Sequence, residues 1–393
     1  MNCTEKFFEI YGRQADGVSF CPYRVCPIGA HIDHQLGKIT GFAIDKGISI
    51  AYRPKQNGVI ELVSLQFPKR AQFHISAVPK EREMDWADYL RGATLMLSKK
   101  FTLSVGLCGV IEGSLPIGGL SSSAAVIISF LSALCKVNNI IISQDDLIKI
   151  AQKAENEYVG VSCGKLDQSC EVYCRREKLL YLDNKDDSYE LIPENKNMKP
   201  YEIGIFFSGM ERNLIGSGYN MRIDEVKSAA YALMAFSGMD YGKFKDTYLR
   251  DVPREVFEEY KEKLPENWRK RAEHFYTESE RVEKGVEAWR KGDIETFGGL
   301  VFESGYSSIY NYETGADELK EIYNIMRDTK GIYGGRFSGA GFKGCCMAIV
   351  NPEYKESIEK EITEKYLKAF PQYKDTFSVH FCKTADGCGA YFE

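Results

Sequence analysis

The sequence predicts an α+β protein built in two parts, and three observations carry that expectation. The chain has 393 residues, more than one ordinary core accommodates, so two units of about 200 residues each are expected. Strand-like and helix-like segments are mixed without regular βαβ alternation, which favours α+β over a doubly wound sheet. A polar stretch with two prolines, NKDDSYELIPENKNMKP at 184–200, reads as the joint, dividing the chain into 1–195 and 196–393.

The elements follow from local pattern. Residues 38–65 alternate and are rich in Ile and Val, so they read as strands with a turn at Gln56-Asn57-Gly58. WADYLRGATLMLS (86–98) has the spacing of an amphipathic helix, and LSVGLCGVIE (103–112) reads as a strand. AAVIISFLSALCKV is long and apolar enough for a buried helix, and Ser143 with Asp146 forms a capping pair that opens another, through about Tyr158. Beyond the joint, YEIGIFFSG reads as a buried strand, and 253–291 are helical in pattern with a break near Pro265. GRFSGAGFKGCCMAIV reads as a glycine turn and an apolar strand, NPEYKESIEKEITEKYLKAF as a helix, and SVHFCKTADGCGAYFE as a hairpin-like pair.

Composition bounds the function. Apolar content of 44% and charged content of 27% fit a globular chain. A net charge of −5 offers no broad attraction for nucleic acid or anionic membrane. The start, MNCTEKFFEIYG, lacks the basic and apolar regions of a signal peptide, and no apolar run approaches about 18 residues. The 12 cysteines show no C-x-x-C pair and no zinc spacing, so most are expected to be small buried hydrophobes in a reducing cytoplasm. The expected partners are small molecules, on a monomer or weak oligomer.

Four motifs carry chemistry. In PIGGLSSSAA, Pro116 to Ala125, glycines let backbone approach a ligand, and serines stand where a helix start leaves amides unpaired. That suits phosphate; ordinary N-capping is the other use of such a run. No G-K-[ST] follows, so it is not a Walker loop. In ENEYVGVSCGKLDQ, Glu155 and Asp167 could divide metal binding and proton transfer, though alone they read as solvated helix-cap acids. GGRFSGAGFKG satisfies G-x-G-x-x-G at Gly339, Gly341 and Gly344, but a strand rather than a helix is expected after it. NAD binding is therefore rejected in favour of a glycine turn that packs against another loop or a phosphate. The fourth, RVCPIGAHIDHQLG from Arg24 to Gly37, crowds an arginine, two histidines and an aspartate around a glycine-marked turn.

Together, in this order, the motifs resemble the GHMP sugar and metabolite kinases, and within them the galactokinase branch. RVCPIGAHIDHQLG is similar to G-R-[VIL]-N-L-[IL]-G-E-H-x-D-Y-x-x-G, CGKLDQ to C-G-x-x-D-Q, and Trp86-Ala87 with Tyr89 and Gly92 to W-A-x-Y-x-x-G. The resemblance implies two α+β lobes, a ribosomal-protein-like amino lobe and a ferredoxin-like carboxyl lobe, with the site in the cleft between them. It implies phosphoryl transfer from ATP with Mg²⁺. Asp167 would act at the anomeric hydroxyl as base or proton acceptor, and Arg24 would neutralise charge beside it. Ser123, with Ser122, would meet phosphate and Mg²⁺, and Glu155 would complete the metal site. The amides of Gly118, Gly119 and Leu120 would cradle phosphate, in the same run as Ser121. Trp86 would lie near the adenine. His31, Asp33, Gly164 and Tyr219 would hold sugar hydroxyls, Tyr219 standing in GYNMR, which looks like Y-x-x-R.

Departures from the galactokinase pattern bear on the acceptor. Ala30 stands where galactokinases carry a glutamate that approaches the sugar's 6-hydroxyl. Alanine removes that acceptor, and also a charge that would repel a 6-carboxylate. His34 replaces a tyrosine and could donate to, or ion-pair with, a carboxylate. The combination GAHIDHQ resembles galacturonokinases, as do GYNMR, the RAEH stretch at 271 and FSGAGFKGCC, so D-galacturonate is the expected acceptor, with D-galactose as the rival. A non-catalytic sugar sensor is the alternative of another class; the intact serine run and Asp167 argue against it. Lys165 is expected to point to solvent, and basic residues near 212 and 222 are candidates for a carboxylate.

Overall fold

The structure, a computed structural model, describes residues 2–210 and 217–391. Helix α1 (Cys3–Tyr11) opens behind an Asn2–Glu5 capping box. Strand β1 (Gly17–Val25) then pairs antiparallel with the 18-residue β2 (Lys38–Lys55), the spine of the first sheet. That sheet is completed by β3 (Val59–Ser64), β4 (Ala71–His74), β5 (Gly106–Gly113), β6 (Lys178–Asp183) and β7 (Tyr189–Pro193), in the order β4-β3-β5-β2-β6-β7. β3 and β5 are parallel, and the other pairs are antiparallel.

Helices α2 (Asp88–Ser98), α3 (Ser122–Val137), α4 (Gln144–Lys153) and α5 (Leu166–Tyr173) cover the sheet. α3 is apolar nearly all round, with Ile127, Ile128, Phe130, Leu131 and Leu134 buried, as a helix enclosed on several sides requires. The helix expected to reach Tyr158 stops at Lys153. A π-helical turn, Ala154–Val159, follows, closed by Gly160 donating to the Glu155 carbonyl. Such turns are rare and re-aim side chains at functional sites.

The second sheet holds β8 (Glu202–Phe207), β9 (Ile332–Phe337), β10 (Cys345–Val350) and β11 (Ser378–Cys382), all antiparallel, in the order β11-β8-β10-β9. Around it lie α6 (Ser217–Ser237), α7 (Arg254–Tyr260), α8 (Glu266–Lys291), α9 (Ile294–Tyr310), α10 (Asp317–Asp328) and α11 (Lys355–Ala369). The pleat sorts the side chains. Ile203, Ile205 and Phe207, with Cys345, Met347 and Ile349, join the large core shared with the first sheet. Phe206, Cys346, Ala348 and Val350 meet Ile322, Met326, Ile358 and Ile362 of α10 and α11. The adjacent Cys345 and Cys346 are therefore both buried, on opposite faces. All twelve cysteines are free. Among the described residues no helix is long and apolar enough to cross a membrane.

Two local expectations are corrected. Residues 334–337 belong to β9 rather than to a turn, because buried β10 needs a partner on that side and finds one there. The chain end is not a hairpin: β11 pairs with β8, whereas Thr384–Ala385 forms β12 against β2 of the first sheet. Asp45 diverts the chain, its N–H donating to the Lys383 carbonyl at 3.0 Å and its carboxylate accepting the Lys383 N–H at 3.2 Å.

The turn after β9 meets the loop before α3 backbone to backbone. A Cβ on Gly344, whose φ is +101°, would stand 2.5 Å from the Gly118 carbonyl carbon. Gly344→Ala is therefore expected to lower stability by about 2–4 kcal/mol, from overpacking and positive-φ strain together. A thermal melt that matches wild type would contradict this packing.

Candidate active site

The site is built around Arg24 at the end of β1. A register shift between Pro22 and Arg24 bulges the strand and re-aims the side chain toward α5. The guanidinium is buried, and a buried charge must be paired. Its Nε donates to Asp167 Oδ1 at 2.7 Å, and its Nη1 to the Gly119 carbonyl at 2.9 Å and the Ser338 hydroxyl at 3.3 Å. Burial works against the charge, but Asp167 outweighs it and raises the Arg24 pKa. The Arg24 N–H also reaches the Leu120 carbonyl at 3.5 Å. One residue thus joins β1, the glycine-serine loop, α5 and the β9–β10 turn.

The loop before α3 is shaped for an anion. Gly118, Gly119 and Ser121 take positive φ. Ser121 stands at the helix start without a capping bond, and its buried hydroxyl has no partner. The first-turn amides, beginning at Ser122, and the helix dipole add to that orphaned donor. Ser123 hydrogen-bonds Glu155, which also accepts from Gln168. Burial, with Asp167 nearby, pushes the Glu155 pKa up to about 7 against the Ser123 hydrogen bond. Among the described residues no group of three or more His, Cys, Asp or Glu side chains is arranged to hold a metal. A hydroxyl and one carboxylate nevertheless fit Mg²⁺, which commonly takes its remaining ligands from phosphate and water.

The connection from β1 to β2 forms the other wall. Asp33 is buried, and its Oδ2 accepts the Leu166 N–H at 3.4 Å, at the start of α5. Gly164 permits this approach, since a Cβ there would lie 2.0 Å from Asp33 Oδ2. Burial and the Asp167 charge raise the Asp33 pKa to about 6. His31 stacks on Tyr312 at 4.5 Å between ring centroids. His34 Nε2 hydrogen-bonds the Tyr312 hydroxyl at 3.0 Å, while its Nδ1 faces the Gln35 amide nitrogen at 3.2 Å. Tyr219 lies 6.3 Å from both histidine rings, and Asp33 and Asp167 act on its hydroxyl. Burial holds His34 at about 3, helped by Lys227, and holds His31 well below the usual histidine range. Both His34 ring nitrogens are thus engaged within the protein, by Tyr312 and Gln35.

Other expectations fall differently. The Ala30 carbonyl accepts from His274 Nε2 at 3.0 Å. Trp86 is stacked on Phe67 with its indole N–H on the Lys69 carbonyl, and neighbouring Tyr89 feels the Glu155 charge. Lys165 does not point to solvent; it pairs with Asp187 and packs beside Tyr173 and Leu182. Arg222 is bonded to Glu225 and the Glu313 carbonyl, but its buried Nε has no partner. Arg212 lies outside the described residues. Sequence reasoning gave no role to Tyr312, Ser338, His274 or Glu278: Ser338 lies in the GGRFSGAGFKG motif and His274 in the RAEH stretch at 271, but neither motif marks which side chain acts, and Tyr312 and Glu278 stand in no motif.

The raised Asp33 pKa makes a stability prediction. A carboxyl titrating near 6 in the folded chain and lower when unfolded stabilises fully below the unfolded value, and that contribution is lost as pH rises through 6. Asp33→Asn removes the cost of the buried charge. It is expected to be more stable than wild type by up to about 3 kcal/mol at about pH 8, and equal to it below about pH 4. Paired melts across that range check the sign; a gap that does not change with pH would refute it.

Comparison with known proteins identifies the family. A galactokinase galactose-binding signature matches residues 5–54, the GHMP kinases N terminal domain matches 88–175, and the GHMP kinases C terminal domain matches 286–368. The chain is 37% identical to a galacturonokinase of Arabidopsis thaliana, over 94% of this chain and 92% of that one. It is 33% identical to a galactokinase of Thermococcus kodakarensis, over 92% and 97% of the two. The crystal structure of Lactococcus lactis galactokinase complexed with galactose superposes with a TM-score of 0.88 at 28% identity, covering 98% of this chain and 97% of that one. With its paired glycine loops, its Arg24–Asp167 pair and these relatives, the chain belongs to the GHMP kinases, in the galactokinase branch.

Proposed function

We propose that the chain is an ATP-dependent sugar 1-kinase that converts D-galacturonate to galacturonate 1-phosphate. The observation that carries the reaction class is the Arg24–Asp167 pair, 2.7 Å apart, hydrogen-bonded to the carbonyl of Gly119 in the phosphate loop. Phosphoryl transfer requires little covalent help, so positioning and charge neutralisation set the rate. In this reading ATP binds with its phosphates at the amides of Gly118 to Ser122 and at the Ser121 hydroxyl. Trp86 and Phe67 border the base. Ser123 and Glu155 hold Mg²⁺, which when bound neutralises charge on the phosphate oxygens.

Asp33, Tyr219 and the Gly164 backbone orient the sugar, with His31 beside them. Asp167 accepts the proton of the anomeric hydroxyl as the hydroxyl oxygen attacks the γ-phosphorus of ATP, and the bond from that phosphorus to the β–γ bridging oxygen breaks, the electron pair leaving on ADP. Arg24 keeps Asp167 in place and opposes the charge that builds on the transferring group. Asp167→Asn is expected to lower kcat by about 10²–10⁴-fold while sugar binding persists. Turnover near the wild-type rate would remove Asp167 from the mechanism.

The acid as acceptor is supported by Ala30, by the identity to a galacturonokinase, and by the charge of Lys227 acting at His34. A glutamate in place of Ala30, at about 4 Å from a 6-carboxylate, would repel it by about 4 kcal/mol at an effective dielectric of about 20. That corresponds to about a thousandfold discrimination. The galactose-binding signature over 5–54 favours galactose as the second reading. ADP release with Mg-ATP and D-galacturonate, D-galactose or D-glucuronate separates the two. Ala30→Glu is expected to lose galacturonate turnover by up to about a thousandfold and to gain on galactose. An unchanged preference would contradict the role given to Ala30.

A further inference from the structure

We infer that His274 and Glu278 of α8 are positioning residues that set the shape of the Arg24–Gly37 loop, and so control acceptor-sugar binding from the carboxyl-terminal part of the chain. The inference rests on the reading of that loop as the sugar-binding segment. The two side chains stand one turn apart on the same helix face and are fully buried. Glu278 Oε1 accepts the Gly29 N–H at 2.7 Å, and His274 Nε2 donates to the Ala30 carbonyl at 3.0 Å. The peptide units on either side of the Gly29–Ala30 bond are therefore both anchored to α8. The loop needs such anchors, because Gly29 and His31 both sit at positive φ, at 103° and 65°. Left to local preference, His31 would leave that conformation.

The anchors are themselves fixed from behind. Ser307 bonds His274 Nδ1 at 2.9 Å and receives the Asn311 amide at 3.2 Å. That leaves Nδ1 as the acceptor and Nε2–H as the donor aimed at Ala30. Burial opposes protonation and lowers the His274 pKa to about 4, so this tautomer persists at neutral pH. Glu278 receives Arg281 Nε at 2.7 Å and a bond from Ser304. Ser304 is held in turn by Arg336, whose Nη2 reaches Ser308 at 2.9 Å. A buried charged network of this kind adds little stability over apolar packing; here it fixes two backbone groups of the loop that carries Ala30, His31, Asp33 and His34.

The test is steady-state kinetics on the full chain with whichever sugar wild type phosphorylates, together with amide hydrogen exchange of the 26–34 peptide. His274→Phe keeps the ring and removes the donor. It should raise the sugar KM by about tenfold or more, with the ATP KM changed by less than about twofold. His274→Gln, which can still donate, should restore most of the sugar affinity. Ser307→Ala, a milder change that leaves His274 in place, should shift the sugar KM in the same direction by a smaller factor. In His274→Phe and Ser307→Ala, exchange across Gly29 to Asp33 should quicken, a readout that needs no turnover. Equal effects on both KM values, or unchanged sugar KM and exchange in His274→Phe and Ser307→Ala, would overturn the inference. Wild type that phosphorylates no sugar, yet shows quickened exchange in these variants, would instead contradict the assigned function and leave the clamp standing.

Discussion

A buried guanidinium organises this protein. Arg24 has lost its water and must find acceptors in the fold, and it finds them on three separate segments: Asp167, Gly119 and Ser338. Each contact imposes a condition elsewhere. The bulge in β1 aims the side chain, the loop before α3 turns its carbonyl inward, and the β9–β10 turn closes against that loop so tightly that Gly344 and Gly118 leave no room for a Cβ. Substituting lysine would keep a charge but lose the fork that makes these bonds at once.

The same site carries more buried acid than its fold can balance. Asp33, Glu155 and Glu171 are all raised, in each case first by burial. Glu171 lies one turn past Asp167, wholly buried, with one carboxylate oxygen unpartnered. Arg24 is directly paired with Asp167, and the nearby histidines are neutral. In the proposed reaction a divalent cation beside Glu155 and the sugar hydroxyls at Asp33 supply the missing partners.

Much of this was legible in the sequence where chemistry and local pattern coincide. The serine run before an apolar helix, the Cys-Gly turn before Asp167, and a glycine motif followed by a strand all depend on a few neighbouring residues. The last is flanked by β9 and β10, as the rejection of a dinucleotide fold required. What the sequence did not disclose depends on distant partners. Tyr312 meets His34 across 278 positions, and His274 meets Ala30 across 244; the RAEH stretch that holds His274 carries a resemblance but no spacing that marks the contact. Local pattern points Lys165 to solvent because Asp187, its counter-charge, lies in a turn that only the fold brings near. The π turn holding Glu155 has the pattern of continuous helix, since periodicity over a few residues does not separate the two.

Whether Ala30 admits an acid decides the substrate. One competition measures this directly: wild-type protein with Mg-ATP and equal concentrations of D-galacturonate and D-galactose, the two 1-phosphates resolved by phosphorus NMR at low conversion. The product ratio equals the ratio of the kcat/KM values. An excess of galacturonate 1-phosphate of about a hundredfold or more is the result predicted. A predominance of galactose 1-phosphate would contradict it, leaving a galactokinase whose Ala30 has no bearing on substrate choice.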